Sequence, residues 1–172
     1  MGFSTDAIHA GQIPDPTTGA VITPIYQTST YAQHELGKST GFEYARTHNL
    51  TRQALEKNIA TLEKGKYGIA FASGLAATHA LMSLVKAGDH IVISNNVYGG
   101  TYRLYELNMK NYGLDFSWVD STDLRNVENA IRPNTKMIYV ETPTNPMLNL
   151  TDLIGISEIA KKNKLISVCD NT

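Results

Sequence analysis

The chain has 172 residues, 42% of them hydrophobic and 18% charged, with a formal net charge of -1. That length supports one buried core, and the composition is that of a globular protein, not a disordered one. The near-neutral charge disfavours nucleic-acid binding, which needs a basic excess or a basic stripe.

Residues 1–49 read as an arm without a helical period. Gly11-Gln12-Ile13-Pro14-Asp15-Pro16 and Thr23-Pro24-Ile25-Tyr26-Gln27 are turn and extended signals. An arm with no core of its own has two uses. It folds back on its own domain, or it reaches a neighbouring subunit.

From residue 50 to residue 172 helical and strand patterns alternate. Leu55, Ile59 and Leu62 repeat at helical spacing, with Gly65 following as a stop. Tyr67 to Phe71 is a short apolar run, expected as a strand. A helix is predicted from Gly74 through Val85, then a strand at His90–Ser94 and a helix at Thr101–Tyr112. Phe116–Val119 is the next strand and Asp123–Ile131 a short helix before Pro133. Lys136–Val140 is a strand, Leu153, Ile156, Ile159 and Ala160 mark a helix, and Leu165–Cys169 is a last strand. The alternation predicts an α/β fold with a mostly parallel sheet and helices on both faces, since the strands are near-continuous apolar runs.

The single cysteine, Cys169, excludes an internal disulfide and suits a reducing, cytoplasmic setting. The start of the chain lacks the basic and apolar regions of a signal peptide, and Asp6 stands where a myristoylation signal wants Ser or Thr. No stretch approaches the roughly 18 to 20 apolar residues of a membrane span.

In an open α/β sheet, ligands bind beyond the carboxyl ends of the strands. Ser73-Gly74 precedes a helix, where free amides and the helix dipole attract an anion; Ser73 also has the simpler reading of an ordinary N-cap. Asp170 closes an apolar strand, where a carboxylate needs a cation or several donors; capping the next turn is the alternative. The G-x-x-x-x-G-K-[ST] and G-x-G-x-x-G phosphate fingerprints, metal-spaced Cys/His clusters and a G-x-S-x-G elbow are all absent from the sequence. Taken singly, Tyr98 is an ordinary loop aromatic and Arg46 an ordinary surface arginine.

Six ordered stretches together resemble the pyridoxal-phosphate (PLP) dependent trans-sulfuration family of cystathionine γ-synthases and γ-lyases. They are Pro24 to Tyr31, Phe42-Glu43-Tyr44-Ala45-Arg46, Phe71-Ala72-Ser73-Gly74-Leu75-Ala76, Val97-Tyr98-Gly99-Gly100-Thr101, Glu141-Thr142-Pro143-Thr144-Asn145-Pro146 and Asp170-Asn171-Thr172. The resemblance implies the type I, aspartate-aminotransferase-like fold and a homotetramer, a dimer of dimers with shared active sites. By the same resemblance Ser73, Gly74 and Leu75 would hold the PLP phosphate. Tyr44 and Arg46 would reach the phosphate of a neighbouring subunit's cofactor. Tyr98 would stack on the ring, Asp170 pair with the ring nitrogen, and Thr172 support the ring. Asn145 would face the ring oxygen and the substrate carboxylate, with Arg103 and Glu141 as substrate-side or supporting groups.

The resemblance has two departures. Asn49-Leu50-Thr51-Arg52 lacks the family's proline at the second position. The family's Schiff-base lysine lies in a Ser-x-Thr-Lys context after Asp-Asn-Thr; Lys161, Lys162 and Lys164 lack that context, so the lysine is expected beyond Thr172. Gly100 stands where methionine γ-lyases usually carry cysteine, which disfavours that activity. The implied function is making or cleaving the C–S bond of cystathionine. A cystathionine β-lyase or an O-acylhomoserine sulfhydrylase is the alternative within the family, and a non-catalytic PLP- or phosphate-binding fragment the alternative outside it.

Overall fold

The computed structural model describes residues 2–172. The chain separates into two compact units, one ending at Phe71 and one spanning Ala72–Thr172.

In the first unit α1 (Phe3–His9) packs on α2 (Leu50–Leu62). The Asn58 side chain ties them, donating to the carbonyls of Asp6 (3.1 Å) and Ala10 (3.0 Å). Gly11 lets the arm pass close over α2: its φ is +77°, and a Cβ there would lie 2.6 Å from the Ala54 carbonyl oxygen. Asn49 starts α2 as an N-cap, accepting from the backbone N–H groups of Thr51 (2.9 Å) and Arg52 (3.3 Å). Asn49 Nδ2 and Thr51 Oγ1 also grip the extended arm, donating to the carbonyls of Tyr26 (2.9 Å) and Pro24 (2.8 Å).

Those bonds explain a difference from the sequence reading, which put α2 at the head of the α/β domain. Its polar side chains bond to the arm, so it groups with the arm. The Tyr67–Phe71 run is not a strand either; it is extended, and the Ala70 N–H donates to Glu56 Oε1 (3.0 Å). No residue from 2 to 71 is buried, and Ile13, Val21, Ile22, Ile25 and Leu36 are exposed.

The second unit begins with α3 (Gly74–Ala80), which tightens into a 3₁₀ turn at Leu81–Leu84. Next come β1 (His90–Ser94) and α4 (Gly99–Tyr102), which continues as a π-helical stretch, Arg103–Asn108, and a 3₁₀ turn, Met109–Tyr112. There follow β2 (Asp115–Val119), α5 (Leu124–Asn129), β3 (Thr135–Glu141), α6 (Leu153–Asn163) and β4 (Ile166–Asp170). The strands form one parallel sheet in the order β2-β1-β3-β4.

Strand alternation sends side chains to two cores. Ile91, Ile93, Phe116, Met137 and Tyr139 pack with Met82, Tyr105 and Met109 on one face. Val92, Ile138 and Val140 pack with Val127, Ile156, Ile159 and Ala160 on the other. Each of the larger apolar side chains buried here contributes about 1.5–3 kcal/mol. Helices therefore cover both faces, as the apolar runs predict.

The first strand residue carries a testable charge. His90 is fully buried, with Nδ1 2.7 Å from Thr135 Oγ1 and Nε2 2.9 Å from Ser117 Oγ. Burial holds its pKa below the ordinary histidine value, the nearby Arg132 charge adds to this, and Asp115 opposes it. The unfolded chain takes up this proton near pH 6.5, and native His90 only at lower pH. Stability from this group is therefore full above about pH 6.5. It falls as the pH drops below that value, by at most about 1.4 kcal/mol per pH unit, until native His90 itself protonates. Urea unfolding from about pH 7 to about pH 5 should show that slope, and His90→Gln should remove its part of it.

Candidate functional site

The parallel sheet brings the ends of β1, β3 and β4 to one edge of the second unit. Asp170 is the last residue of β4, one residue further into the strand than the sequence implied, and it pairs in register with Glu141 at the end of β3. Strand alternation puts Tyr139 and Glu141 on one face of β3, with Val168 and Asp170 on the same face of β4.

The Asp170 carboxylate is well supplied with donors. Oδ1 accepts from Thr172 Oγ1 (2.7 Å) and from the Thr172 backbone N–H (3.1 Å), and Oδ2 accepts from Tyr139 Oη (2.9 Å). The Tyr139 hydroxyl in turn lies 3.5 Å from Thr78 Oγ1, which donates to the Gly74 carbonyl (3.1 Å). A line of polar contacts therefore joins the end of β4 to the first turn of α3.

At that turn Ser73 is indeed an N-cap, its hydroxyl accepting from the Ala76 N–H (3.1 Å). The cap leaves the Gly74 and Leu75 amides without an intrahelical partner. Nothing lies within 4 Å of a Cβ built on Gly74, so an anion can approach this backbone.

Glu141 is only 5% exposed, and each oxygen of its carboxylate accepts one backbone N–H. Oε2 accepts from the backbone N–H of Tyr98 (2.7 Å) and Oε1 from that of Asn145 (3.2 Å). Through these bonds Glu141 ties the loop after β1 to the loop after β3. The Tyr98 side chain is 52% exposed. A Cβ placed on Gly100 would lie 2.2 Å from Tyr98 Cε1, so any other residue at position 100 must displace this ring. Asn145 is exposed, and two cis peptide bonds, Thr142–Pro143 and Asn145–Pro146, lie in its loop. Thr144 is buried there, its hydroxyl accepting from Asn96 Nδ2 (3.1 Å) and the Asn149 N–H (2.9 Å). Arg103 is exposed on the π-helical stretch, its guanidinium beside Gly99.

Tyr44 and Arg46 belong to the first unit and meet each other there. Arg46 Nη1 donates to Tyr44 Oη (3.0 Å), and the guanidinium carbon lies 4.3 Å from the ring centroid. Arg52 secures their loop, donating to the carbonyls of Ala45 (3.1 Å) and Thr47 (2.6 Å). Lys161, Lys162 and Lys164 close α6 and precede β4, at the opposite edge of the sheet from Asp170.

Sequence reasoning missed Tyr139, which it read as part of an apolar strand. Burial pushes its phenol pKa up, and the Asp170 charge adds to this, so it is a proton donor at neutral pH. The available signal was its two-residue spacing from Glu141, and it acquires meaning only once the β3–β4 register is known. Among the described residues no cluster of His, Cys, Asp and Glu could hold a metal ion, and no helix is long and apolar enough to cross a membrane.

A family model described as "Cys/Met metabolism PLP-dependent enzyme" matches residues 4–172. The chain is 52% identical over 171 residues to a probable cystathionine gamma-synthase of Herpetosiphon aurantiacus, covering 99% of this chain and 54% of that protein. It is 53% identical over 171 residues to a cystathionine beta-lyase of Coxiella burnetii, covering 99% of this chain and 44% of that protein. Among solved structures it is similar to cystathionine gamma-lyase from Lactobacillus plantarum complexed with L-serine. That comparison has a TM-score of 0.96 and 51% identity, over 100% of this chain and 45% of the other. The chain spans about half the length of the curated relatives it matches.

Proposed function

Because the chain belongs to the family of PLP-dependent enzymes of Cys/Met metabolism, we propose that this protein is a cytoplasmic enzyme that makes or cleaves the C–S bond of cystathionine, as a γ-synthase or γ-lyase. The residues present fit the cofactor. Open amides at Gly74 and Leu75 suit a phosphate, the half-exposed Tyr98 ring suits a stacking partner, and the Asp170 carboxylate suits a protonated ring nitrogen. When bound, pyridoxal phosphate supplies a carbonyl that joins the substrate amine and a protonated ring that takes up the electrons left at the α-carbon.

The chain's own residues prepare that chemistry. The Gly74 and Leu75 amides bind the phosphate, while Ser73 caps the helix that presents them. Asp170 holds a proton on the ring nitrogen, and Thr172 holds Asp170. Glu141 holds the backbones of Tyr98 and Asn145, Tyr98 to stack on the ring and Asn145 to meet the ring oxygen and the substrate carboxylate. Arg103 offers a cation for the substrate. Tyr44 and Arg46, paired by their hydrogen bond, serve the phosphate of a neighbouring subunit in a homotetramer, since the planar guanidinium meets phosphate oxygens bidentately. The exposed apolar side chains of residues 1–49 support an arm that covers a neighbour.

The observation that carries the reading is the linked arrangement of Gly74, Thr78, Tyr139 and Asp170, which joins the end of β4 to the start of α3 in a chain that matches the family almost throughout. Product analysis tests the reading. With cystathionine and water, a γ-lyase releases cysteine, 2-oxobutanoate and ammonia, whereas a β-lyase releases homocysteine, pyruvate and ammonia. A γ-synthase consumes cysteine and an O-acylhomoserine and forms cystathionine and the free carboxylic acid. Release of homocysteine and pyruvate alone, or no reaction of the PLP-loaded protein with either substrate set, would overturn the proposal.

A further inference from the structure

A carboxylate offers about four acceptor sites, two on each oxygen. In Asp170 both sites of Oδ1 are taken by Thr172, through its hydroxyl (2.7 Å) and its backbone N–H (3.1 Å). One site of Oδ2 is taken by the Tyr139 hydroxyl (2.9 Å). One site remains, and it is on Oδ2.

We propose that Tyr139 is the positioning residue of the site: its hydroxyl fixes the Asp170 carboxylate so that Oδ2 presents the one free acceptor to the cofactor's ring nitrogen. The inference rests on the reading of Asp170 given above and adds to it the oxygen used and the group that aims it. Tyr139 suits this task. Its ring is buried in the sheet core and packs edge-on against Tyr105, with ring centroids 5.6 Å apart, so the hydroxyl is held by a rigid base. Its single proton goes to Asp170, because Thr78 Oγ1 at 3.5 Å is too distant to compete well. Without that donor, Oδ2 has two open sites and the carboxylate is held from one side only. Part of the ordering that favours the ring nitrogen is then lost.

The test uses the full-length protein stripped of cofactor and titrated with pyridoxal phosphate. Its variants are Tyr139→Phe, Asp170→Ala and the double substitution. Phenylalanine keeps every carbon contact, so the thermal midpoint of the cofactor-free protein reports whether the core is intact. Tyr139→Phe should raise the dissociation constant for pyridoxal phosphate about tenfold, equivalent to about 1.4 kcal/mol. In the Asp170→Ala background the same change should add nothing, because a residue that acts only through Asp170 has nothing left to aim. A ring-labelled cofactor read by ¹⁵N NMR should show a less protonated ring nitrogen in Tyr139→Phe. Unchanged affinity in Tyr139→Phe, or an equal loss with and without Asp170, would overturn the role of Tyr139 while leaving Asp170 in place. Unchanged affinity in Asp170→Ala would overturn the reading beneath it as well.

Discussion

Replacing Asp170 by alanine in the full-length protein should lower turnover by about a hundredfold or more and loosen the cofactor. A hydrogen bond to a charged group contributes about 1.5–3 kcal/mol, and each 1.4 kcal/mol is a factor of ten. Loss of the proposed pairing with the ring nitrogen alone therefore weakens cofactor binding by about tenfold to more than a hundredfold. Turnover falls further, because an unprotonated ring is a poorer sink for electrons. Thr172 is exposed, so water can satisfy its donors, but the buried Tyr139 hydroxyl loses its acceptor at a cost of about 1–3 kcal/mol, and the cofactor-free protein should melt a few degrees lower. Asp170→Asn separates charge from shape. It keeps an acceptor for Thr172 but turns an N–H toward the ring nitrogen, which favours the unprotonated ring. Its kcat should fall more than its cofactor affinity does. Normal turnover in either variant would sink the assignment of Asp170.

Much of the second unit was legible in the sequence because its signals are local. His90–Ser94 is a strand with the predicted bounds, and Asp123 and Asp152 cap α5 and α6 where the helical periods begin. One misreading is local: the arm read as having no helical period contains α1 (Phe3–His9). The others mostly concern pairing, which is not local. Tyr67–Phe71 has the apolar pattern of a strand but no strand partner among the described residues. The end of β4 moves by one residue because Asp170 pairs with Glu141, so the carboxylate projects from the sheet itself and not from a turn. The helix expected at Thr101 starts at Gly99, which brings Tyr98 to its N-cap position. The π-helical stretch Arg103–Asn108 keeps the apolar spacing of an ordinary helix and leaves no mark in the sequence. Residue types in the six motifs pointed to the candidate site. Which of them support others depends on hydrogen bonds between residues far apart in the chain, such as Tyr98 to Glu141 and Tyr139 to Asp170.

Glu141 is where that dependence should be most costly to break. Its two oxygens each accept one backbone N–H, from Tyr98 at 2.7 Å and from Asn145 at 3.2 Å, and the side chain is almost wholly buried. Both are charge-assisted bonds of about 1.5–3 kcal/mol. Glu141→Ala removes both acceptors and leaves two donors beside a small cavity that water reaches only in part. A loss of about 3 kcal/mol is expected, toward the lower end of the sum, since each N–H is part-buried and gains some hydration. Glu141→Gln keeps one acceptor but sets an NH₂ group against the other N–H, so its loss should fall between wild type and alanine. The two variants should also lose activity in the same order, because the Tyr98 and Asn145 loops are no longer held in register. Denaturant midpoints at constant m-value measure the first effect, and kcat/KM the second. A Glu141→Ala protein as stable as wild type would mean that the two loops are held by other contacts, and that this carboxylate is not what joins them.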